Sequence, residues 1–239
     1  MSTGANAAVY TQPSAARRAY EALKGLILSG DVPVGHRLRE ERLAQRVGVS
    51  RTPVRDAMHR LSGEGFLERR RDGGFYAVVP SVVVLKELYD VRRALELSTP
   101  RLALRHGREY ERNELVKLRD DWLAINVDED TLDAEFVLLD EDFHLRLALA
   151  GGNRTLVEEL SKISQRIRPI RSHDFMTPGR IAATVEQHVG IVEAILDGEY
   201  EQASDCLETH IVESQAIVEL AAAKAVERML TIAQNDPSW

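Results

Sequence analysis

Apolar and polar residues recur at helical spacing along most of this chain, with one short interruption in its first third. The first such segment lies before Gly30, where Tyr20, Leu23 and Ile27 follow one another at intervals of three or four positions. Gly30 comes soon after the last of them, and glycine commonly ends a helix. The pattern predicts a first helix over residues 15–28.

The next 50 residues predict two more short helices and a pair of strands. Ser50 is a suitable N-cap for the third helix, and Gly73 and Gly74 provide a turn between the strands. The helices are predicted at about 39–47 and 51–64, with a tight turn at 48–50, and the strands at 66–70 and 75–79. These parts predict a winged helix–turn–helix domain over residues 14–80, preceded by a disordered tail at 1–13.

Every later segment is predicted to be helical, because no strand-like alternation occurs beyond Val84. Helices are expected at about 82–98, 100–106, 111–126, 132–150, 154–172, 179–197 and 200–231. The predicted fold class is therefore mostly α, with the N-terminal winged helix–turn–helix followed by an all-α helical bundle. The bundle is expected to span residues 81–231, with a short tail at 232–239.

The charge is distributed unevenly between these two parts. The 239-residue chain carries a net charge of −7, but residues 1–80 hold 13 Lys and Arg against 8 Asp and Glu. The remainder holds 18 basic against 30 acidic residues. A basic N-terminal part on an acidic body is typical of a DNA-binding module joined to a second module.

The chain contains a single cysteine, Cys206, which excludes an intrachain disulfide and fits a cytoplasmic location. No stretch approaches 18 uninterrupted apolar residues, so we expect no membrane association through a spanning helix.

Candidate DNA contacts cluster at the start of the predicted third helix. Arg51 and Arg55 are four residues apart and project from one face, away from the apolar stripe of Val54 and Met58. An arginine fork binds a guanine edge or clamps a phosphate, and the sequence leaves both open. The expected contacts are Arg39, Arg42, Arg51, Thr52, Arg55, Arg70, Arg71 and Gly74. Each arginine, taken singly, is also compatible with a solvated helix face.

Four side chains in the helical part have the spacing of a metal site. Asp140 and His144 are four residues apart and share a helix face. His188 and His210 lie on two helices joined at Asp197 and Gly198, which places them at similar heights if the helices are antiparallel. One carboxylate and three imidazoles suit a divalent ion such as Zn, Ni or Mn, whose identity stays open. A hydrogen-bonded polar core is the alternative.

The N-terminal part resembles the GntR family of bacterial regulators. The resemblance rests on residues 20–24 and 27–30, on residues 64–67, and above all on V-S-R-T-P-V-R at 49–55. It implies that Arg51 and Arg55 contact operator DNA together with the wing glycine Gly74. One departure is Val34, where a proline usually precedes Gly35.

The helical part resembles the effector domain of FadR-type GntR regulators, called the FCD domain. The resemblance rests on residues 89–96, 140–144, 152–153, 187–188 and His210. It implies that Asp140, His144, His188 and His210 hold the ion and that small organic acids bind beside it. Glutamine stands at 187, where glutamate is common.

Arg92 and Arg93 are candidates to pair with an effector carboxylate, because a guanidinium fork matches that shape. Surface salt bridges are the alternative for both residues.

We therefore expect a ligand-responsive transcription regulator, a repressor, that binds a pseudo-palindromic operator in double-stranded DNA as a homodimer. A metal-dependent hydrolase and a DNA-binding protein with a purely structural helical domain are the competing hypotheses. We expect no enzymatic activity, since no further carboxylate is placed as a general base.

Overall fold

The computed structural model describes residues 14–100, 109–127, 131, 133 and 135–235. The predicted tail at 1–13, most of the predicted helix at 100–106 and the end of the predicted tail at 232–239 lie outside these residues. The chain divides into two compact units, one up to Val78 together with the chain from Met229 onward, and one spanning Val79–Arg228.

The N-terminal unit contains three helices and a two-stranded antiparallel sheet. They are α1 (Ala15–Leu28), α2 (Glu40–Val47), α3 (Arg51–Gly63), β1 (Leu67–Arg69) and β2 (Phe75–Ala77). Leu67 lies opposite Ala77 in the sheet, and Leu38 forms a further bridge to Phe75. The predicted winged helix–turn–helix is confirmed, with strands shorter than their predicted runs.

The turn between α2 and α3 depends on Gly48. Its backbone is left-handed, with φ of +68°, and its N–H donates to the carbonyl of Ala44 at the end of α2. A side chain would be strained in that conformation. Ser50 occupies the N-cap of α3 as predicted, but its side chain makes no capping hydrogen bond.

The Val79–Arg228 unit is built from helices packed around one apolar core. They are α4 (Val82–Glu96), α5 (Arg112–Leu123), α6 (Phe136–Ala150), α7 (Arg154–Arg171), α8 (Arg180–Leu196) and α9 (Tyr200–Asn235), of which α9 belongs to this unit up to Arg228. A short 3₁₀ segment, Asp174–Met176, precedes α8. The predicted all-α class is confirmed, although α9 continues four residues beyond its predicted end at 231 and α6 begins later than the predicted 132.

The core of this unit places α6, α8 and α9 around a common centre. Phe143 on α6, Ile191 on α8 and Leu207 on α9 are fully buried there. Side chains one turn from these residues face the same interior, so polar residues at such positions are also buried. None of the helices in the described part of the chain is both long and apolar enough to cross a bilayer.

Candidate metal centre and nucleic-acid interface

A groove between the start of α3 and the β1–β2 wing collects positive charge. Five arginines line it, namely Arg37, Arg39, Arg51, Arg55 and Arg69, against two glutamates, Glu40 and Glu41. Three of these were predicted DNA contacts, and Gly74 also lines the groove. Arg37 and Arg69 were missed, because the sequence does not show that the segment before α2 and the first strand face the same groove as α3.

Because Gly74 has no side chain, the side chain of Arg37 can pack against the wing. A Cβ at position 74 would lie 2.8 Å from Nε of Arg37, which is closer than van der Waals contact permits. The wing turn itself is fixed by Asp72, whose carboxylate accepts from the Gly74 N–H at 3.0 Å and from the Tyr76 hydroxyl at 2.8 Å. The absence of a Cβ at Gly74 therefore lets Arg37 lie against a wing turn that Asp72 fixes by hydrogen bonds.

The remaining predicted contacts differ in their surroundings. Arg70 stacks on the Tyr76 ring with its guanidinium carbon 4.0 Å from the centroid, and its Nε donates to Glu68 at 2.6 Å. Thr52 and Arg71 are exposed, and Arg42 is half-buried on α2. None of these four lines the groove.

The four predicted metal ligands converge in the interior of the helical unit. Asp140 and His144 come from α6, His188 from α8 and His210 from α9, and each is at most 2% exposed. Their ligand atoms all lie within 4.8 Å of one another. The i, i+4 spacing on α6 and the turn between α8 and α9 thus bring ligand side chains from three helices to one point.

The measured separations between these ligand atoms are close enough for them to bind a single ion. Nε2 of His210 lies 3.2 Å from Nε2 of His144 and 3.3 Å from Nε2 of His188. The Asp140 carboxylate lies 3.6 Å from each of the three Nε2 atoms. Two ligands about 2.0–2.1 Å from a tetrahedral ion lie about 3.3–3.4 Å apart, so these five separations are compatible with one shared ion. The remaining pair, His144 and His188, lies within 4.8 Å.

Two of the imidazoles are held in the tautomer that a metal requires. Nδ1 of His144 faces the Glu96 carboxylate, and Nδ1 of His210 lies 2.9 Å from Oε1 of Gln187. Oε1 is the acceptor end of that amide, because Nε2 of Gln187 donates to Glu213. The proton of each ring is therefore assigned to Nδ1, which leaves the lone pair on Nε2.

This assignment changes the meaning of the short distance between His144 and His210. If both Nε2 atoms carry lone pairs, their 3.2 Å separation is not a hydrogen bond. Two lone pairs aimed at one point repel each other unless a cation lies between them. The lone pairs of these buried ring nitrogens thus fit a bound metal ion better than a core held together by hydrogen bonds among the four residues.

The buried environment fixes the charge of these ligands. Burial lowers the pKa of His188 well below its usual value, and His210 lowers it further. Burial also lowers the pKa of His210 to about 3 against the effect of Asp140. Burial would raise the pKa of Asp140, but Arg171 and His144 outweigh it and hold it well below its usual range. Neutral imidazoles beside a carboxylate are the forms that bind metal.

Arg171 at the end of α7 is a site residue that the sequence did not reveal. It is 1% exposed, and one of its Nη atoms pairs with Oδ2 of Asp140. One turn earlier, Arg168 forms two hydrogen bonds to Glu141, at 2.8 and 2.6 Å. The i, i+3 spacing of the two arginines was visible, but their partners on α6 lie 27 and 31 positions away.

The structure separates the two effector-binding candidates on α4. Arg93 is half-buried and pairs with Glu208 at the surface. Arg92 is 1% exposed, and its Nε donates to Glu96 at 2.5 Å. Burial would raise the pKa of Glu96, but Arg92 and His144 bring it down to about 2. Arg92 is thus linked through one carboxylate to a metal-ligand candidate.

Comparison with known proteins identifies a family for each of the two parts of the chain. The family model "Bacterial regulatory proteins, gntR family" matches residues 15–77, and the model "FCD domain" matches residues 87–213. The chain is 34% identical to the Nta operon transcriptional regulator of Aminobacter aminovorans, over 74% of this chain and 81% of that protein. It is 26% identical to the transcriptional repressor GlaR of Escherichia coli, over 85% of this chain and 96% of the relative.

Among solved structures, one similar chain is Lar, described as controlling expression of the Listeria monocytogenes agr system. It aligns with a TM-score of 0.56 at 18% identity, covering 90% of this chain and 99% of that chain. At such identity the likeness supports the fold alone. The family matches and the A. aminovorans relative show that this chain belongs to the GntR family of bacterial transcription regulators and carries an FCD domain.

Proposed function

We propose that this regulator is a repressor that binds operator DNA as a homodimer and responds to a small carboxylate at a metal ion in its FCD domain. The observation that carries the sensing part is the convergence of four buried ligand atoms within 4.8 Å of one another. As in other ligand-responsive regulators, a preference of about 1–3 kcal/mol for one state would change operator affinity roughly 5–150-fold.

The proposed DNA surface is the groove between α3 and the wing, with the exposed residues around it. Arg51 and Arg55 stand in the first two turns of α3, the part of a recognition helix that enters the major groove. Arg51 lies 3.7 Å from Glu40, a loose exposed pair that a phosphate or base can replace. The proposed contacts are Arg39, Arg42, Arg51, Thr52, Arg55, Arg70, Arg71 and Gly74, with Arg37 and Arg69 added.

The proposed metal site uses Asp140, His144, His188 and His210. A bound Zn, Ni or Mn ion would supply a Lewis-acidic positive charge that attracts an anionic effector. In a tetrahedral ion the four ligands fill every position, whereas an octahedral ion keeps positions open for an effector carboxylate. The neutral imidazoles and the ionised Asp140 hold the ion, and Glu96 and Gln187 orient two of the rings.

Dimer formation is supported by apolar residues left at the surface of the FCD domain. Val84 and Val91 are seven residues apart on one face of α4 and are 40% and 46% exposed. Leu220 on α9 is 57% exposed, and an ion pair of 3.4 Å between Lys86 and Glu219 holds the two helices side by side. A second copy would cover this surface, and a symmetric dimer matches a pseudo-palindromic operator.

The hydrolase alternative is disfavoured by the carboxylates around the centre. A metal hydrolase needs a carboxylate near the ion that can accept a proton. Glu96 is paired with Arg92, and Glu141 accepts two hydrogen bonds from Arg168. We therefore propose a non-enzymatic role, and we propose that the protein acts in the cytoplasm, where its operator lies.

The DNA-binding proposal is tested by selecting an operator from a random duplex library and titrating it with variants. Arg55→Ala should weaken the selected operator by about 10–100-fold, since one bidentate base contact contributes about 1–3 kcal/mol. Lys117→Ala, which removes one exposed charge from the FCD domain, is the matched control and should change affinity less than twofold. Equal effects of the two variants, or no selected sequence, would contradict the proposal.

A further inference from the structure

The two oxygens of the Asp140 carboxylate have different surroundings. Oδ2 pairs with a terminal nitrogen of Arg171. Oδ1 is buried and has no hydrogen-bond partner among the described residues, although buried polar atoms almost always have one. It lies 3.6 Å from Nε2 of His188 and 3.6 Å from Nε2 of His210. Oδ1 is therefore the oxygen that is available to an ion held by these histidines.

The second oxygen, Oδ2, is close enough to the same point to be a ligand as well. It lies 3.6 Å from Nε2 of His144, the same separation as that between Oδ1 and each of the other two rings. A carboxylate binds a metal ion through one oxygen or through both. Arg171 thus occupies an oxygen that would otherwise be within reach of the ion.

The pair of Arg171 and Asp140 is protected from water. The side chain of Arg171 is 1% exposed and that of Asp140 is 0% exposed. Two other buried carboxylates of the domain have arginine partners of their own, since Glu96 pairs with Arg92 and Asp174 with Arg180. Breaking a buried pair leaves an uncompensated charge, which is strongly unfavourable. We therefore expect Arg171 to keep its hold on Oδ2 when an ion binds.

The donors that remain for an ion are three imidazole nitrogens and one carboxylate oxygen. Imidazole suits Zn, Ni and Cu, whereas Mn and Mg prefer carboxylate, carbonyl and water oxygens. A second carboxylate oxygen would move the donor set toward the preference of Mn. An arginine that withholds this oxygen therefore disfavours Mn among the three candidate ions.

We infer that Arg171 is a positioning residue that makes Asp140 a ligand through Oδ1 alone and thereby selects Zn or Ni over Mn. This inference rests on the proposed metal site and names the ions that the site prefers. Arg171 does not touch the ion, and it acts only through Oδ2 of Asp140.

The first test compares the affinities of the full chain for two ions of equal charge. Arg171→Met keeps an unbranched side chain but releases Oδ2. Loss of a positive charge changes the affinities for Zn and Mn alike, because both ions are divalent, whereas a released oxygen favours Mn. We expect the ratio of Mn affinity to Zn affinity to rise at least about fivefold, on the scale of changes to a group that orients a ligand. Competition with a chromogenic chelator measures zinc binding, and the electron paramagnetic resonance of unbound Mn measures manganese binding.

Arg168→Met is the matched control for this comparison. Arg168 lies one turn earlier on α7 and pairs with Glu141, which is not one of the four ligands. Its replacement should leave the ratio of the two affinities unchanged. If Arg171→Met lowers both affinities by the same factor, Arg171 has a structural role only and the inference is overturned.

A crystal structure of the zinc-loaded wild-type chain tests the inference without a variant. We expect Oδ1 at about 2.0–2.2 Å from the ion, with Oδ2 still bonded to Arg171. Both oxygens bound to the ion, or Oδ2 alone, would overturn the inference.

Failure of this inference and failure of the proposed sensor give different results. If no ion binds to the wild-type chain, the proposed sensing function is wrong and the role of Arg171 falls with it. If zinc binds but the ratio of affinities is the same in the wild type and in Arg171→Met, the metal site stands and only the role of Arg171 is wrong.

Discussion

Each histidine of the candidate metal centre has a different neighbour beside its ring. Nδ1 of His144 faces a carboxylate, and Nδ1 of His210 faces the amide oxygen of Gln187. His188 instead stacks on Phe143 with centroids 3.6 Å apart and planes 7° apart, and its Nδ1 has no hydrogen-bond partner in the described part of the chain. A hydrogen bond from the remote nitrogen raises ligand basicity, so the three rings contribute unequally to metal affinity.

Removing the amide at position 187 should weaken the metal site without removing a ligand. Gln187→Ala leaves Nδ1 of His210 unpaired and its ring orientation unfixed. We expect zinc affinity to fall about 10–100-fold, the usual effect of losing a group that orients a ligand. Competition with a chromogenic chelator measures the affinity. Gln215→Ala is the control, because Gln215 bonds Glu219 on the same helix, and an equal loss in both variants would argue against this role.

Acid should destabilise the metal-free FCD domain. Burial lowers the pKa of His173 to about 4 and, with Asp140 opposing, that of His210 to about 3, whereas unfolded histidine titrates near 6.5. Below pH 6.5 the unfolded chain takes up protons that the folded chain excludes, so the free energy of unfolding falls as pH falls. The expected loss is about 1 kcal/mol per buried histidine between pH 7.5 and 5.5.

Urea denaturation followed by the fluorescence of Trp122 measures this loss, in a Trp239→Phe background that leaves one indole. His173→Gln should make the dependence on pH shallower, because it removes a half-buried histidine with a lowered pKa that is not one of the four ligands. If the urea midpoint of unfolding does not move between pH 7.5 and 5.5, these histidines do not make the free energy of unfolding depend on pH.

At the scale of elements, the wing acts together with α3 rather than as a separate hairpin. The Arg70 N–H donates to the Gly74 carbonyl, and Leu38 pairs with Phe75, so the segment before α2 lies along the second strand. This third edge brings Arg37 beside the wing. The groove thus draws its charge from α3, the wing and the segment before α2.

A methyl group on the wing should disturb that arrangement. Gly74→Ala is compatible with the backbone, but its Cβ would displace the side chain of Arg37. We expect operator affinity to fall about 3–30-fold with little change in thermal stability, on the scale of one lost phosphate contact. Gly63→Ala, whose Cβ would meet nothing within 4 Å, is the control in the same domain. Unchanged affinity in Gly74→Ala would show that Arg37 does not contact DNA.

The sequence predicts elements better than it predicts the partners of charged residues. The three short helices, the hairpin and the shared helix face of Asp140 and His144 follow from local spacing, because turns and helix faces are local properties. His188 and His210 entered the predicted ligand set through the expected antiparallel packing and the family resemblance. Arg171 and Gln187 contact their partners across helices, and no pattern within α7 or α8 identifies those partners. The 3₁₀ segment at Asp174–Met176 was missed for the same reason, since its Asp174 is stabilised by Arg180.

At the scale of the whole molecule, the two domains have opposite charge and separate tasks. The basic N-terminal residues favour a polyanion, whereas the acidic remainder surrounds a neutral polar interior. An ion and a carboxylate at that interior can alter regulation only if they prefer one state of the dimer. The candidate metal centre is therefore the part of the molecule on which the proposed response depends.

The most direct test is the metal content of the purified full chain after equal exposure to Zn, Ni and Mn. Mass spectrometry of the washed protein should give about one ion per chain, lost in Asp140→Ala and in His188→Ala. His173→Gln, a histidine outside the cluster, should retain the ion. Absence of a bound ion from the wild-type chain, or an ion retained in both ligand variants, would contradict the proposed sensor and leave the four residues as a polar core.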